Sequence, residues 1–189
     1  IRYPMARVDA ERALDVLLAQ RDKQPPKIDT QDIPLAGGAI ADIEAFRQSA
    51  HAKCPAYVHA ATLDSLIRNH GTDYPRVLDR AAADPRVRTT VPGTCVLTAE
   101  IDHAIEEEMA VHLSDVVLRR TDMSGHEHPG RAALRFTAEH MAQRLGWSTQ
   151  RIMEEIADTE AALAKHHAVD RKSSAYGAES MSVGAMLAK

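Results

Sequence analysis

The chain has 189 residues, of which 44% are hydrophobic but only 4% aromatic, and its formal net charge is −4. That length and apolar content suffice for one packed domain, or for one domain plus a piece of another, with a core of Ala, Leu, Ile, Val and Met that favours helices over strands. The acidic balance excludes a general nucleic-acid binder, which needs a basic footprint.

Residues 4–20 form the first expected helix. Pro4 is tolerated in its first turn, and Ala6, Ala10, Ala13, Leu14, Leu17 and Leu18 make an apolar side. The segment from Arg21 to Pro34, RDKQPPKIDTQDIP, is polar and carries three prolines, so it reads as a linker that ends at Gly37-Gly38. Ile40, Ile43 and Phe46 begin a short helix that stops near Ala50. A further helix runs from Pro55 to Asn69 with Val58, Leu63, Leu66 and Ile67 inward. Gly71 suits a helix C-terminus, and Thr72 or Asp73 suits the N-cap of a short helix over Tyr74–Ala83. Asp84 to Thr94 is an extended connection with Pro85, Pro92 and Gly93.

The stretch Thr98–Thr121 reads as one long amphipathic helix. Ile101, Ile105, Met109, Leu113, Val116 and Val117 lie on a single stripe of helical period. Glu100, Asp102, Glu106, Glu107 and Glu108 sit towards its start and Arg119 and Arg120 at its end, as the helix dipole favours. Thr98 is the expected N-cap. Asp122 to Gly130 is then a polar loop, and Arg131 to Leu145 a helix with Leu134, Ala138, Met141 and Leu145 on one side. At Gly146-Trp147-Ser148, Gly146 takes a left-handed conformation, Trp147 folds back on Met141 or Ala142, and Ser148 caps a helix running to His167. Residues 169–189, rich in Ser, Gly and Ala, read as a loose tail. The fold class is all-α: a bundle of about six or seven helices with short connections. The domain plan is a helix over 1–20, a Pro-rich linker over 21–36, a helical domain over 37–168 and the tail.

No apolar run approaches the ~18 residues of a membrane span, and no charged segment followed by an apolar one opens the chain. The chain begins with Ile1 rather than Met and reads as a fragment or a trimmed chain. Cys54 and Cys95 form no CxxC pair and read as buried or half-buried free thiols.

Ten histidines raise the question of a metal. Glu100-x-x-His103 is the sharpest pattern, because that step puts two ligands on one helix face. No second such step occurs, and both residues lie off the apolar stripe, so no metal site is expected. His126-Glu127-His128 reads as a solvated loop, and His166-His167 as charge at a helix C-terminus. His112, beside the stripe, reads as a packed core or interface histidine. No Gly-rich phosphate loop and no supported Ser or Cys nucleophile are present. Arg119 and Arg120 either stabilise a helix end or bind a carboxylate across a domain boundary.

The run AEIDHAIEEEMAVHLSDVVLRRT resembles the signature helix of the C-terminal domain of FAD-dependent glycerol-3-phosphate dehydrogenases. The residues that carry this are Ala99, Glu100, Ile101, Glu108, Met109, Ala110, Leu113, Asp115, Val116, Arg119, Arg120 and Thr121. His70-Gly71-Thr72 is similar to the family's Tyr-Gly-x stretch, with His70 where Tyr is usual. AEHMAQRLGWSTQRIMEE resembles its Leu-Gly-Trp segment, and Pro34-Leu35 with Gly37-Gly38 the approach to its C-terminal domain. The first helix, with Arg2, Tyr3, Met5 and Ala6, resembles the one that follows the family's Gly-Gly-Lys-x-Thr-Thr strand end, although Arg2-Tyr3 reverses the usual order. Asp122 stands where the family often has Arg.

This resemblance implies that residues 1–20 are the last helix of an N-terminal FAD-binding domain of the same polypeptide and that residues 37–168 are a helical cap on it. The parent enzyme would oxidise sn-glycerol 3-phosphate to dihydroxyacetone phosphate by hydride transfer to FAD, passing electrons to a quinone, or to oxygen in oxidase relatives. It implies a place for Arg2 and Tyr3 at the flavin edge and for Arg119, Arg120 and His112 at the domain interface. It also implies a cytoplasmic parent, peripheral on the inner face of the membrane, and a fragment that is inactive and FAD-free alone. The alternatives are a free-standing helical interaction module without catalysis and a metal-binding bundle.

Overall fold

The computed structural model describes residues 3–21, 23, 33–125 and 127–166. His126, most of the connector between 21 and 33, and the tail expected over 169–189 lie outside them. The chain runs α1 (Tyr3–Ala19), α2 (Ile43–Ala52), α3 (Ala60–His70), α4 (Tyr74–Ala83), α5 (Thr98–Glu107), α6 (Leu113–Asp115), α7 (Arg131–Leu145) and α8 (149–166). Single 3-10 turns occupy Gly71–Asp73 and Pro85–Val87, and a π-helical turn, Val116–Arg120, continues α6. The fold is the expected all-α bundle. Its one isolated β-bridge among the described residues joins Thr90 to Leu97.

Local chemistry starts and stops several helices where the sequence predicts. Asp42 caps α2 by accepting from the N–H groups of Glu44 and Ala45 at 2.9 and 3.0 Å. Gly146 ends α7 at φ 70°, the Trp147 N–H bonds the Ala142 carbonyl, and Ser148 accepts from the Arg151 N–H, so the corner forms as expected. Pro55–His59 is a turn rather than the start of α3, with the Val58 N–H bonded to the Pro55 carbonyl. Cys95 is exposed and not buried, because it sits on the turn between Val91 and Val96.

The long central helix does not exist as one piece. α5 stops at Glu107, and Met109 adopts φ 60° and is 84% exposed, off the stripe expected for it. The Ala110 N–H bonds back to the Ala104 carbonyl, closing α5 and turning Ala110 into the core. The Asp115 carboxylate then accepts from the N–H groups of Val111 and His112 and starts α6. The break swings Leu113, Val116 and Val117 inward onto α7, where one continuous helix would have spent Met109. Thr98 is likewise not the N-cap. Leu97 holds that position, its N–H donates to Glu100 Oε1 at 2.7 Å, and the Thr98 hydroxyl goes instead to the Thr89 carbonyl.

α5 lies between two apolar clusters. One joins α2, α3 and α4 to Leu97 and Ala99; the other joins Ile101 and Ala104 to Leu113, Leu134, Met141 and Leu163. Every residue from Thr98 to Ala104 is buried, so Glu100, Asp102 and His103 are interior and not on a solvated face. Helix α1 stands apart from both clusters, with Leu14, Val16 and Leu17 more than half exposed. Among the described residues no helix is long and apolar enough to cross a membrane.

Candidate functional site

Because α5 is buried from Thr98 to Ala104, the polar side chains of that stretch must find partners on the surrounding helices. Glu100 points to α3, where its Oε2 lies 3.4 Å from His70 Nε2. Burial pushes its carboxyl above the ordinary range, against the opposing pull of His70 and the Leu97 N–H. Asp102 points to α7, where Oδ1 meets His140 Nε2 at 2.7 Å and Arg144 at 3.3 Å. Glu106 and Glu107 bind Arg80 of α4; Glu107 also binds Arg76, and Glu106 also binds Arg144.

The Asp102–His140 pair has the form of a carboxylate-oriented base, in a cleft lined by Thr89, Thr98 and Phe136. The Thr98 hydroxyl, however, donates to the Thr89 carbonyl at 2.7 Å rather than to His140, so no activated nucleophile results. The pair ties α5 to α7.

The expected interface residues lie at the start of α6 and in the π-helical turn that continues it. His112 is not a packed core histidine: its side chain is 53% exposed at the start of α6, where Nδ1 lies 2.8 Å from Glu155 Oε1 on α8. Glu155 also accepts from the Leu113 N–H at 2.8 Å. Arg119 reaches back to Asp115 at 2.9 Å. Arg120 is exposed and makes no hydrogen bond or ion pair among the described residues. The three residues therefore present cationic or polar groups outward near one end of the bundle. Of the flavin-edge pair, Arg2 lies outside the described residues, and Tyr3 is described only in its backbone.

No dinucleotide-binding turn is found among the described residues. They hold no strand, hence no strand, Gly-rich turn and helix to seat a pyrophosphate. A groove of about 560 Å³ is lined by Leu35, Gly37, Ile43, Asp64, Arg68 and His70 and offers no such turn.

One association was not expected. His70, His103 and Glu108 converge where α3 and α5 end, and one potential ligand atom from each lies within 4.8 Å of the others. The imidazoles of His70 and His103 meet edge to face at 5.3 Å. The Glu100-x-x-His103 step was the sequence signal nearest to this place, but it pairs the wrong carboxylate with His103. The ligand on α3 is far off in sequence, and Glu108 joins only because α5 ends there.

The profile of the C-terminal domain of alpha-glycerophosphate oxidase matches residues 28–152, well over half of the chain. The chain is 29% identical over 161 residues to glycerol-3-phosphate dehydrogenase 2 of Mycobacterium tuberculosis and to that of Mycobacterium bovis, covering 83% of this chain and 27% of each relative. It is also 29% identical over 160 residues to glycerol-3-phosphate dehydrogenase of Mycobacterium leprae, covering 82% of this chain and 27% of the relative. The chain thus spans little more than a quarter of the length of these relatives.

Proposed function

Since the chain belongs to the family of the C-terminal domain of alpha-glycerophosphate oxidase, we propose that it is the helical C-terminal part of a flavin-dependent glycerol-3-phosphate dehydrogenase. The parent oxidises sn-glycerol 3-phosphate to dihydroxyacetone phosphate with FAD and hands the electrons to a quinone. The observation that carries this reading is the family match over residues 28–152, with the mycobacterial dehydrogenases aligned over most of the chain. The relatives' names favour a dehydrogenase over an oxidase.

In this reading the chain supplies no reacting group. Its α1, whose Leu14, Val16 and Leu17 lie exposed, is the last helix of the FAD-binding domain of its own polypeptide, and the outward groups His112, Arg119 and Arg120 face that domain. Arg2 and Tyr3 stand at the flavin edge, and the parent is peripheral on the inner face of the membrane.

The test is expression of the whole reading frame. The product should carry flavin that bleaches on anaerobic addition of sn-glycerol 3-phosphate and recovers with a quinone. The 189-residue chain alone should show neither flavin absorption nor turnover. A colourless, inert whole-frame product would leave the free-standing helical interaction module in its place, and turnover by the chain alone would refute its role as a non-catalytic cap.

A further inference from the structure

We propose that His70, His103 and Glu108 form a binding site for one divalent transition-metal ion of the zinc class, clamping the end of α3 to the end of α5. The inference is independent of the flavoenzyme reading. Two imidazoles and a carboxylate are the donor set that borderline ions such as zinc and cobalt prefer, and three protein ligands leave a fourth position for a water or a further carboxylate.

The first observation is the convergence itself. The candidate ligand atoms lie within 4.8 Å of one another. Ligands around a tetrahedral zinc stand ~3.4 Å apart, given bonds of about 2.0–2.2 Å. Binding therefore draws the three groups in by roughly 1 Å, within the reach of side-chain rotation. Glu108 is positioned for this by the helix end: at φ −118° and ψ 10° it leaves α5, and its carboxylate turns back to within 4.0 Å of His103 Nε2.

The second observation is independent of the first. His103 Nδ1 and Glu108 Oε2 are buried atoms with no hydrogen-bond partner. The His103 side chain is only 7% exposed. Interior polar atoms left without partners are rare and costly, about 1–3 kcal/mol each. A cation here would coordinate one nitrogen of His103 and one oxygen of Glu108, two side chains that make no hydrogen bond among the described residues.

The surroundings are consistent with a metal. Burial, with the nearby charge of His70, Arg80 and Arg76, holds His103 below the ordinary imidazole range despite the pull of Glu108. Arg76 and Arg80 are themselves engaged by Glu106 and Glu107. Glu100 lies against His70, the carboxylate contact that orients a metal-bound histidine. His70 also lines the groove of about 560 Å³ beside Gly37 and Asp64.

The experiment is a cobalt(II) titration of the purified, chelator-stripped chain, followed by visible absorption and by thermal melting. One equivalent should develop the d–d bands of a low-coordinate site and raise the melting temperature, and one equivalent of zinc should displace it. Glu108→Gln and His103→Gln should each weaken cobalt binding at least tenfold. His128→Gln, at an exposed histidine paired with Glu160, should leave it unchanged. Far-UV circular dichroism establishes that each variant is folded; if His103→Gln is not, Glu108→Gln, at the part-exposed ligand, decides. The proposal is overturned if no d–d band appears, if folded Glu108→Gln binds cobalt as tightly as the parent, or if His128→Gln abolishes the band. That last result would assign the ion to a surface histidine.

Discussion

Gly71 and Gly37 meet backbone to backbone. A Cβ on Gly71 would lie 1.9 Å from the Gly37 carbonyl oxygen, and one on Gly37 would lie 2.3 Å from the His70 carbonyl oxygen. Both residues have positive φ, 53° and 73°, and the Thr72 N–H donates to the Gly37 carbonyl at 2.9 Å. This contact fastens the start of the helical domain to the α3–α4 corner. Gly71→Ala should therefore cost at least about 2 kcal/mol, combining backbone overlap with left-handed strain. Gly93→Ala, at φ 75° but facing open space, should cost about 1 kcal/mol from strain alone. Paired urea melts check the difference; equal losses would show that the close approach has no energetic weight.

The helix break at Met109 separates two otherwise similar apolar residues. Leu113 is fully buried and Met109 84% exposed. Leu113→Ala should destabilise by about 2–5 kcal/mol. Met109→Gly, relieving a positive φ in a non-glycine residue, should be neutral or stabilising by up to ~1 kcal/mol. On one continuous helix Met109→Gly would instead be clearly destabilising, so denaturant midpoints of the two variants discriminate the arrangements.

Acid should loosen the α6–α8 contact. Burial opposes the charge of Glu155, but His112, the Leu113 N–H and Arg151 outweigh it and hold its carboxyl below the ordinary range. A depressed folded pKa contributes stability that is present above the unfolded value, about 4.3, and is lost as pH falls through the folded one. Asp122, held down by Arg68 and Ser65 against its own burial, acts in the same direction. Glu100 acts oppositely: its raised carboxyl favours the protonated native state, a contribution present at low pH and lost as pH rises through the folded value. Glu155→Gln should be less stable than the parent at pH 7 and converge with it in acid. Melting temperatures between pH 7 and pH 2 test this, and parallel curves would reject it.

Arg120 serves as a probe of docking. Arg120→Ala should leave the isolated chain within about 0.5 kcal/mol of the parent, since the side chain is exposed and has no partner among the described residues. In the whole-frame protein the same change should speed limited proteolysis between the two parts. Unchanged proteolysis would remove Arg120 from the interface.

Much of the architecture was legible because its signals are local. Gly146-Trp147-Ser148 specifies a helix end and a helix start within a few bonds, and α4 and α7 carry apolar faces of the right period. Gly71 announced a corner for the same reason. The break after α5 was not legible, since Ile105, Met109 and Leu113 keep helical phase across it and only the packing of Ala110 and Leu113 selects the broken path. The exposure of His112 was not legible for the same reason: on one continuous helix it flanks the buried stripe, whereas at the start of α6 its side chain is 53% exposed.

The sequence by itself determined an all-α chain, its main turns and its family, since capping, periodicity and motif order depend on neighbours along the chain. The tertiary structure alone decided where the charges lie. Glu100, Asp102 and His103 look like the polar residues of a surface helix, yet α3, α4 and α7 enclose them. Whether a carboxylate or an imidazole is interior depends on partners some 30 or more residues away. The sequence pattern of one helix cannot contain that information. The same long-range convergence brings His70 to His103 and Glu108.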